Sequence, residues 1–175
     1  YGYLMNVIYQ YYHYFSGTLD EIEDIFEVVK HICRIVLKEW RNPDSGIWEI
    51  RNKKEHFVSS KVMCWVALDR AAKISEMLHN LDYTKRYSEE AKLIKKDVLE
   101  HGWKEDIQSF SQTYSNLELD SSLLLMEMYG FISADDPKYK KTVNAIYSNL
   151  DYKGLMFRYN NHDDFGKPKS AFTIC

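Results

Sequence analysis

Apolar residues recur at intervals of three and four along almost the whole chain. Between 18 and 40 they fall at Ile22, Ile25, Phe26, Val29, Ile32, Cys33, Val36, Leu37 and Trp40, one continuous helical stripe. Thr18 and Glu21 have capping-box spacing at its start. The preceding YGYLMNVIYQYYHYF is helix-like from its first residues. A second helix is predicted over 60–79, where Val62, Met63, Trp65, Val66 and Leu68 are apolar nearly all round, so it is buried. A third covers 84–101, with Ala91, Ile94, Val98 and Leu99 inward and Gly102 expected as the left-handed residue just past its end. SSLLLMEMY is a short apolar helix closed by Gly130, and a further helix starts at Asp135 or Asp136 with Pro137 in its first turn. DYKGLMFRYNNHDDFGKPK then reads as a turn, a short extended piece and a loop. Without strand–helix alternation, a parallel sheet is excluded.

The connections differ in character. Short polar ones (79–84, 130–136) alternate with long aromatic-rich ones (41–59, 102–118, 151–170). In a layered array of helix pairs, a solenoid or a closed toroid, one end then carries plain turns and the other elaborate loops. Function is expected at the elaborate end.

Composition narrows this further. The 175 residues suffice for one ordinary core, and no boundary divides 1–175. Fourteen tyrosines fit a ring-lined groove as well as an aromatic core. With net charge −3 and no basic stripe, a nucleic-acid partner is not expected. No run of roughly 18 apolar residues suggests a membrane span. Cys33, Cys64 and Cys175 are odd in number and form no CxxC pair, so neither a disulfide framework nor a metal site is indicated, and no cofactor is expected. The start lacks a secretory pattern, which points to the cytoplasm. Both ends look cut through structural elements, so the chain is expected to be an internal fragment whose uncovered helix faces favour association.

The candidate chemistry centres on PDSGIWEIRNKKEHFVSSKVMCWVALDRA. Glu49 follows Trp48 on a long loop, and burial against an indole would favour a protonated carboxyl, the form a general acid needs for glycosidic cleavage. A solvent-exposed Glu beside a core Trp is the plainer alternative. Arg51, His56 and Lys61 follow closely. Lys61 falls in the first turn of a buried helix, where the macrodipole disfavours a cation, so it either points into a groove or snorkels to the surface. His56 has no ligand-spaced neighbours and reads as a substrate contact or a loop anchor. In LMFRYNNHDDF, Arg158 offers a planar fork beside Tyr159, for sugar hydroxyls or for a salt bridge within the loop. Gln108, Gln112, Asn116 and Asp120 could bond a polyol or cap a helix, Asp120 especially the latter.

Together PDSGIWEIR with HFVSSKVMCWVALDRA, HGWKEDIQSFSQTYSNLELDSSLLL, GFISADDP and GLMFRY, with the opening YGYLMNVIY and the closing SAFTIC, resemble glycoside hydrolase family 15, the glucoamylase and trehalase-like enzymes, in its bacterial and archaeal branch. The resemblance spans essentially the whole chain. It implies an all-α fold, part of an (α/α)6 barrel or six-hairpin toroid, incomplete here. It implies an inverting hydrolase of α-linked glucosides: a malto-oligosaccharide, a starch-like glucan or trehalose. Glu49 matches the general acid after the family Trp, here Trp48; Arg158 and Tyr159 match a substrate-contacting pair; His56 and Lys61 fall on a motif of this branch, and Arg51 is expected to help position the sugar. Inverting glycosidases need two carboxyls, roughly 6.5–9.5 Å apart, and the family's base lies beyond the end of this chain, so the fragment alone is expected to be inactive. Asn52 stands where the branch commonly has Gly. The alternatives are a non-catalytic carbohydrate-binding or regulatory relative, as phosphorylase kinase regulatory subunits resemble this family, and a helical interaction scaffold.

Overall fold

A computed structural model describes residues 1–51, 53–163 and 166–171. Asn52, Cys175 and most of SAFTIC therefore lie outside the described residues. Six helices are described: α1 (Gly2–Tyr14), α2 (Leu19–Glu39), α3 (Val58–Met77), α4 (Leu81–His101), α5 (Leu125–Met128) and α6 (Pro137–Leu150). Strands β1 (Trp103–Lys104) and β2 (Ser109–Phe110) form one antiparallel hairpin, and β3 (Asp151–Tyr152) and β4 (Leu155–Met156) another. The chain divides into two compact units, residues 1–42 with 62–96 and residues 43–61 with 97–175.

In the first unit the stripe of α2 buries Phe26, Val29, Ile32, Cys33 and Val36. Each large apolar side chain removed from water contributes about 1.5–3 kcal/mol. The capping box at 18–21 forms: the Glu21 N–H donates to Thr18 Oγ1, and the Thr18 N–H to Glu21 Oε2. On α3, Val66, Ala67, Leu68, Ala71 and Ile74 have no exposed surface, which is the all-round burial its composition demands. Burial pushes the Cys33 thiol up to about 12, so it packs as an apolar group. At the other end of the stripe, Trp40 Nε1 donates to Glu90 Oε1 at 2.7 Å, and Arg41 pairs with the same carboxylate at 2.8 Å. Helix α3 stops because His79 takes a left-handed φ of 54°; the Asn80 N–H then bonds Ser75 O and the His79 N–H bonds Glu76 O. This Schellman closure lets α4 begin at Leu81, three residues earlier than the polar pattern suggests.

In the second unit α5 ends in the same way at Gly130 (φ 74°), as expected. Of the two candidate caps for α6 the structure selects Asp136, whose side chain accepts from the Lys138 N–H, with Pro137 at the first helical position. Gly102 differs from expectation. Its φ is not left-handed; a Cβ there would lie 2.7 Å from Val98 O and 3.0 Å from Val58 Cγ2, so close packing and not helix closure excludes a side chain. The β1–β2 hairpin is tied to α6 by the Phe110 N–H, which donates to Thr142 Oγ1 at 3.1 Å. The second hairpin turns through Lys153 (φ 56°) and Gly154 (φ 81°), both left-handed as a type I′ turn requires.

Candidate active site

Asp44 organises the loop before α3. Its backbone exchanges two hydrogen bonds with Glu55, both 2.9 Å, which close the loop at its base. Its Oδ1 accepts from the Gly46 N–H at 2.6 Å and from Ser60 Oγ at 2.7 Å, an Asx-type turn that ties the loop to the first turn of α3. Gly46 follows at φ 70°, where a Cβ would stand 2.9 Å from the buried Phe57 ring. Gly46→Ala is therefore expected to destabilise the protein by about 1–2 kcal/mol through the left-handed backbone alone, with ring displacement added; urea denaturation of the variant measures it.

Glu49 is the next unusual residue. Its φ is 55°, a backbone region that non-glycine residues seldom occupy and that clusters at functional sites. The turn is held by the Glu49 N–H to Gly46 O (3.3 Å) and the Ile50 N–H to Ser45 O (2.8 Å). The side chain of Glu49 is 79% exposed, and Arg51 approaches it at 3.9 Å. The expected burial of this carboxylate against the indole does not occur: adjacent residues of so tight a turn send their side chains in different directions.

The carboxylate that does meet the indole is Asp120. Trp48 Nε1 donates to both of its oxygens, at 2.9 and 3.1 Å. Gln112 Nε2 donates to Oδ2 at 3.1 Å; the Ser122 N–H and Oγ donate to Oδ1 at 2.9 and 2.6 Å. Asp120 is almost wholly buried, and burial pushes its carboxyl up from the ordinary value while the bonds from Ser122, Gln112 and Trp48 pull it down. It also caps the 3₁₀ turn Ser121–Leu124, the role its sequence position suggests.

Two further sequence-selected residues gather at Trp48. The Tyr159 ring meets the indole edge-on, centroids 6.2 Å apart, and the Arg158 guanidinium lies 6.0 Å from the indole and 4.9 Å from the Tyr159 ring. Both Tyr159 Oη and Arg158 Nη2 reach Asp163, whose side chain is 3% exposed. Burial and the bond to Asp163 raise the Tyr159 phenol above its ordinary value. Among the described residues, Arg158 Nε and Asn161 Oδ1 are buried without a hydrogen-bond partner. The three long connections of this unit are stitched together. The Tyr114 N–H donates to His56 O, the Ser121 N–H to Arg158 O, and Asn161 Nδ2 to Gln112 Oε1.

His56 and Lys61 make different contacts. The His56 ring stacks on Tyr114 (5.7 Å, 15°), and Tyr114 Oη donates to Asp97 at 2.7 Å, so His56 anchors one loop to the next. Lys61, in the first turn of α3, is 1% exposed and does not snorkel. The sequence offered Asp120 as a polyol contact or a cap, not as the partner of Trp48, and did not single out Asp163 or Asn161. Nothing local signalled Asp163 and Asn161, which lie in an irregular segment, or that Asp120 holds Trp48.

A fixed indole face, a guanidinium fork, unsatisfied polar atoms and an exposed carboxylate on a strained turn suit a polyhydroxylated ring. The family model described as Glycosyl hydrolases family 15 matches residues 1–175. A trehalase of Mycobacterium tuberculosis (strain ATCC 25618 / H37Rv) is 43% identical over 87% of this chain and 23% of its own length. Trehalase 2 of Sulfolobus acidocaldarius (strain ATCC 33909 / DSM 639 / JCM 8929 / NBRC 15157 / NCIMB 11770) is 37% identical over 99% of this chain and 30% of its own length. The chain thus spans between 23% and 30% of these curated relatives. Among solved structures, a glycosidase in complex with glucose matches with a TM-score of 0.65 at 19% identity, over 77% of this chain and 40% of that one. That likeness shows the fold, which is all-α and consistent with part of an (α/α)6 barrel.

Proposed function

The chain belongs to the glycosyl hydrolases of family 15, and we propose that the whole protein is an inverting hydrolase of α-linked glucosides, with trehalose ahead of malto-oligosaccharides as substrate. The observation that carries this is Glu49 held at φ 55° in the turn directly after Trp48, whose indole is bonded by Asp120 and flanked by Arg158 and Tyr159. Glu49 is the general acid that protonates the leaving oxygen. A sugar ring stacks on Trp48, and the Arg158 fork bonds its hydroxyls. Arg51 orients Glu49; His56 and Lys61 hold the loop that carries both. The catalytic base is a carboxylate supplied from elsewhere in the whole protein, so residues 1–175 alone hydrolyse nothing. The names of the relatives favour trehalose. Among the described residues no helix is long and apolar enough to cross a membrane.

Proton NMR of the full-length protein acting on trehalose tests the reading. Inversion at one centre releases one α- and one β-glucose at early times. Two α-glucoses would overturn the inverting mechanism, and binding without hydrolysis would instead support the carbohydrate-binding relative.

A further inference from the structure

Asp120 shares no chemistry with the reaction as proposed, yet its carboxylate accepts five hydrogen bonds. Both oxygens receive only donors: Trp48 Nε1 at both, Gln112 Nε2 at Oδ2, and the Ser122 N–H and Oγ at Oδ1. A helix cap needs one of these bonds. Two of the others hold an indole that stands 72 positions away in the chain and immediately precedes Glu49. The same carboxylate sits at the start of a 3₁₀ turn whose first residue, Ser121, donates from N–H and Oγ to Arg158 O. One buried group therefore sets the Trp48 ring directly and the Arg158 segment through its neighbour.

We propose that Asp120 is a positioning residue of the proposed hydrolase: it acts through Trp48, holding the indole so that a stacked sugar presents its glycosidic oxygen to Glu49. The inference rests on the proposed function of the preceding subsection. Its physical basis is donor geometry. An amide in place of the carboxylate must turn its NH2 toward one set of donors, so Trp48 Nε1 keeps at most one of its two acceptors. The side-chain volume is unchanged, which separates loss of the bond from loss of packing.

The test uses the full-length protein, trehalose, and three variants: Asp120→Asn, Trp48→Phe and the double. Misplacing a sugar platform costs rate steeply, so each single variant is expected to lower kcat/KM about tenfold or more. Because both act through the indole, the double variant is expected to equal Trp48→Phe alone. In Asp120→Asn the 15N-labelled Trp48 Nε1–H resonance is expected to shift. A purely structural Asp120 would lower the melting temperature and leave kcat/KM of the folded enzyme unmoved. Turnover of Asp120→Asn within twofold of wild type, or losses that multiply in the double variant, would overturn the proposal. Should Asp120→Asn not fold, hydrogen exchange of the wild-type Trp48 indole N–H decides, since rapid exchange contradicts a bond to a buried carboxylate. A wild-type enzyme without turnover would instead sink the hydrolase reading, and this inference with it.

Discussion

Replacing Glu49 by Gln in the full-length protein is expected to lower kcat on trehalose about 100- to 10,000-fold, the span a positioned general acid supplies. The substitution is close to isosteric, and the side chain is 79% exposed with only a 3.9 Å approach to Arg51, so the melting temperature should stay within a few degrees of wild type. The loss should depend on the leaving group. Trehalose departs as a sugar alkoxide and needs the proton. α-Glucosyl fluoride departs as fluoride and does not, so Glu49→Gln should retain most of its turnover on it. Equal losses on both substrates would mean that Glu49 binds the sugar and protonates nothing. Full activity on trehalose would remove Glu49 from the mechanism.

The sequence left two readings of Glu49, buried against the indole or exposed, and the reason the exposed one holds is geometric. Adjacency of Trp48 and Glu49 suggests contact, but a turn with φ values of 70° at Gly46 and 55° at Glu49 separates the side chains of neighbours. The helices were legible because their signals are local. The stripe from Ile22 to Trp40, the Thr18–Glu21 box, Gly130 and Pro137 each act within a turn or two of backbone. The β1–β2 hairpin was not, since two-residue strands carry no alternation and this pair is held by Thr142, a long-range partner. Gly102 was read as a helix stop because the local rule is common; the packing that actually requires it comes from Val58. The site follows the same division. Arg158 and Tyr159 sit with Trp48, while the group that fixes the indole, Asp120, comes from another loop, and its sequence position suggested a polyol contact or a cap but no link to Trp48.

Arg158 tests whether that gathering binds sugar. Its Nη2 pairs with buried Asp163 and its guanidinium lies 6.0 Å from the Trp48 ring and 4.9 Å from that of Tyr159, so its position is constrained before any ligand arrives. Its Nε is buried and has no acceptor among the described residues, a cost a sugar hydroxyl would remove. A hydrogen bond to a charged group contributes about 1.5–3 kcal/mol, so Arg158→Ala is expected to lower kcat/KM on trehalose about 10- to 150-fold. Alanine also takes the Arg158 cation away from the buried Asp163 carboxylate, which lowers stability and confounds the result. Arg158→Lys resolves this. Lysine keeps a cation near Asp163 but lacks the planar fork and the Nε donor, so stability should largely return while kcat/KM does not. Recovery of both would make the residue a counter-ion for Asp163 alone, and the unsatisfied Nε would then be a tolerated defect of the fold with no bearing on the sugar.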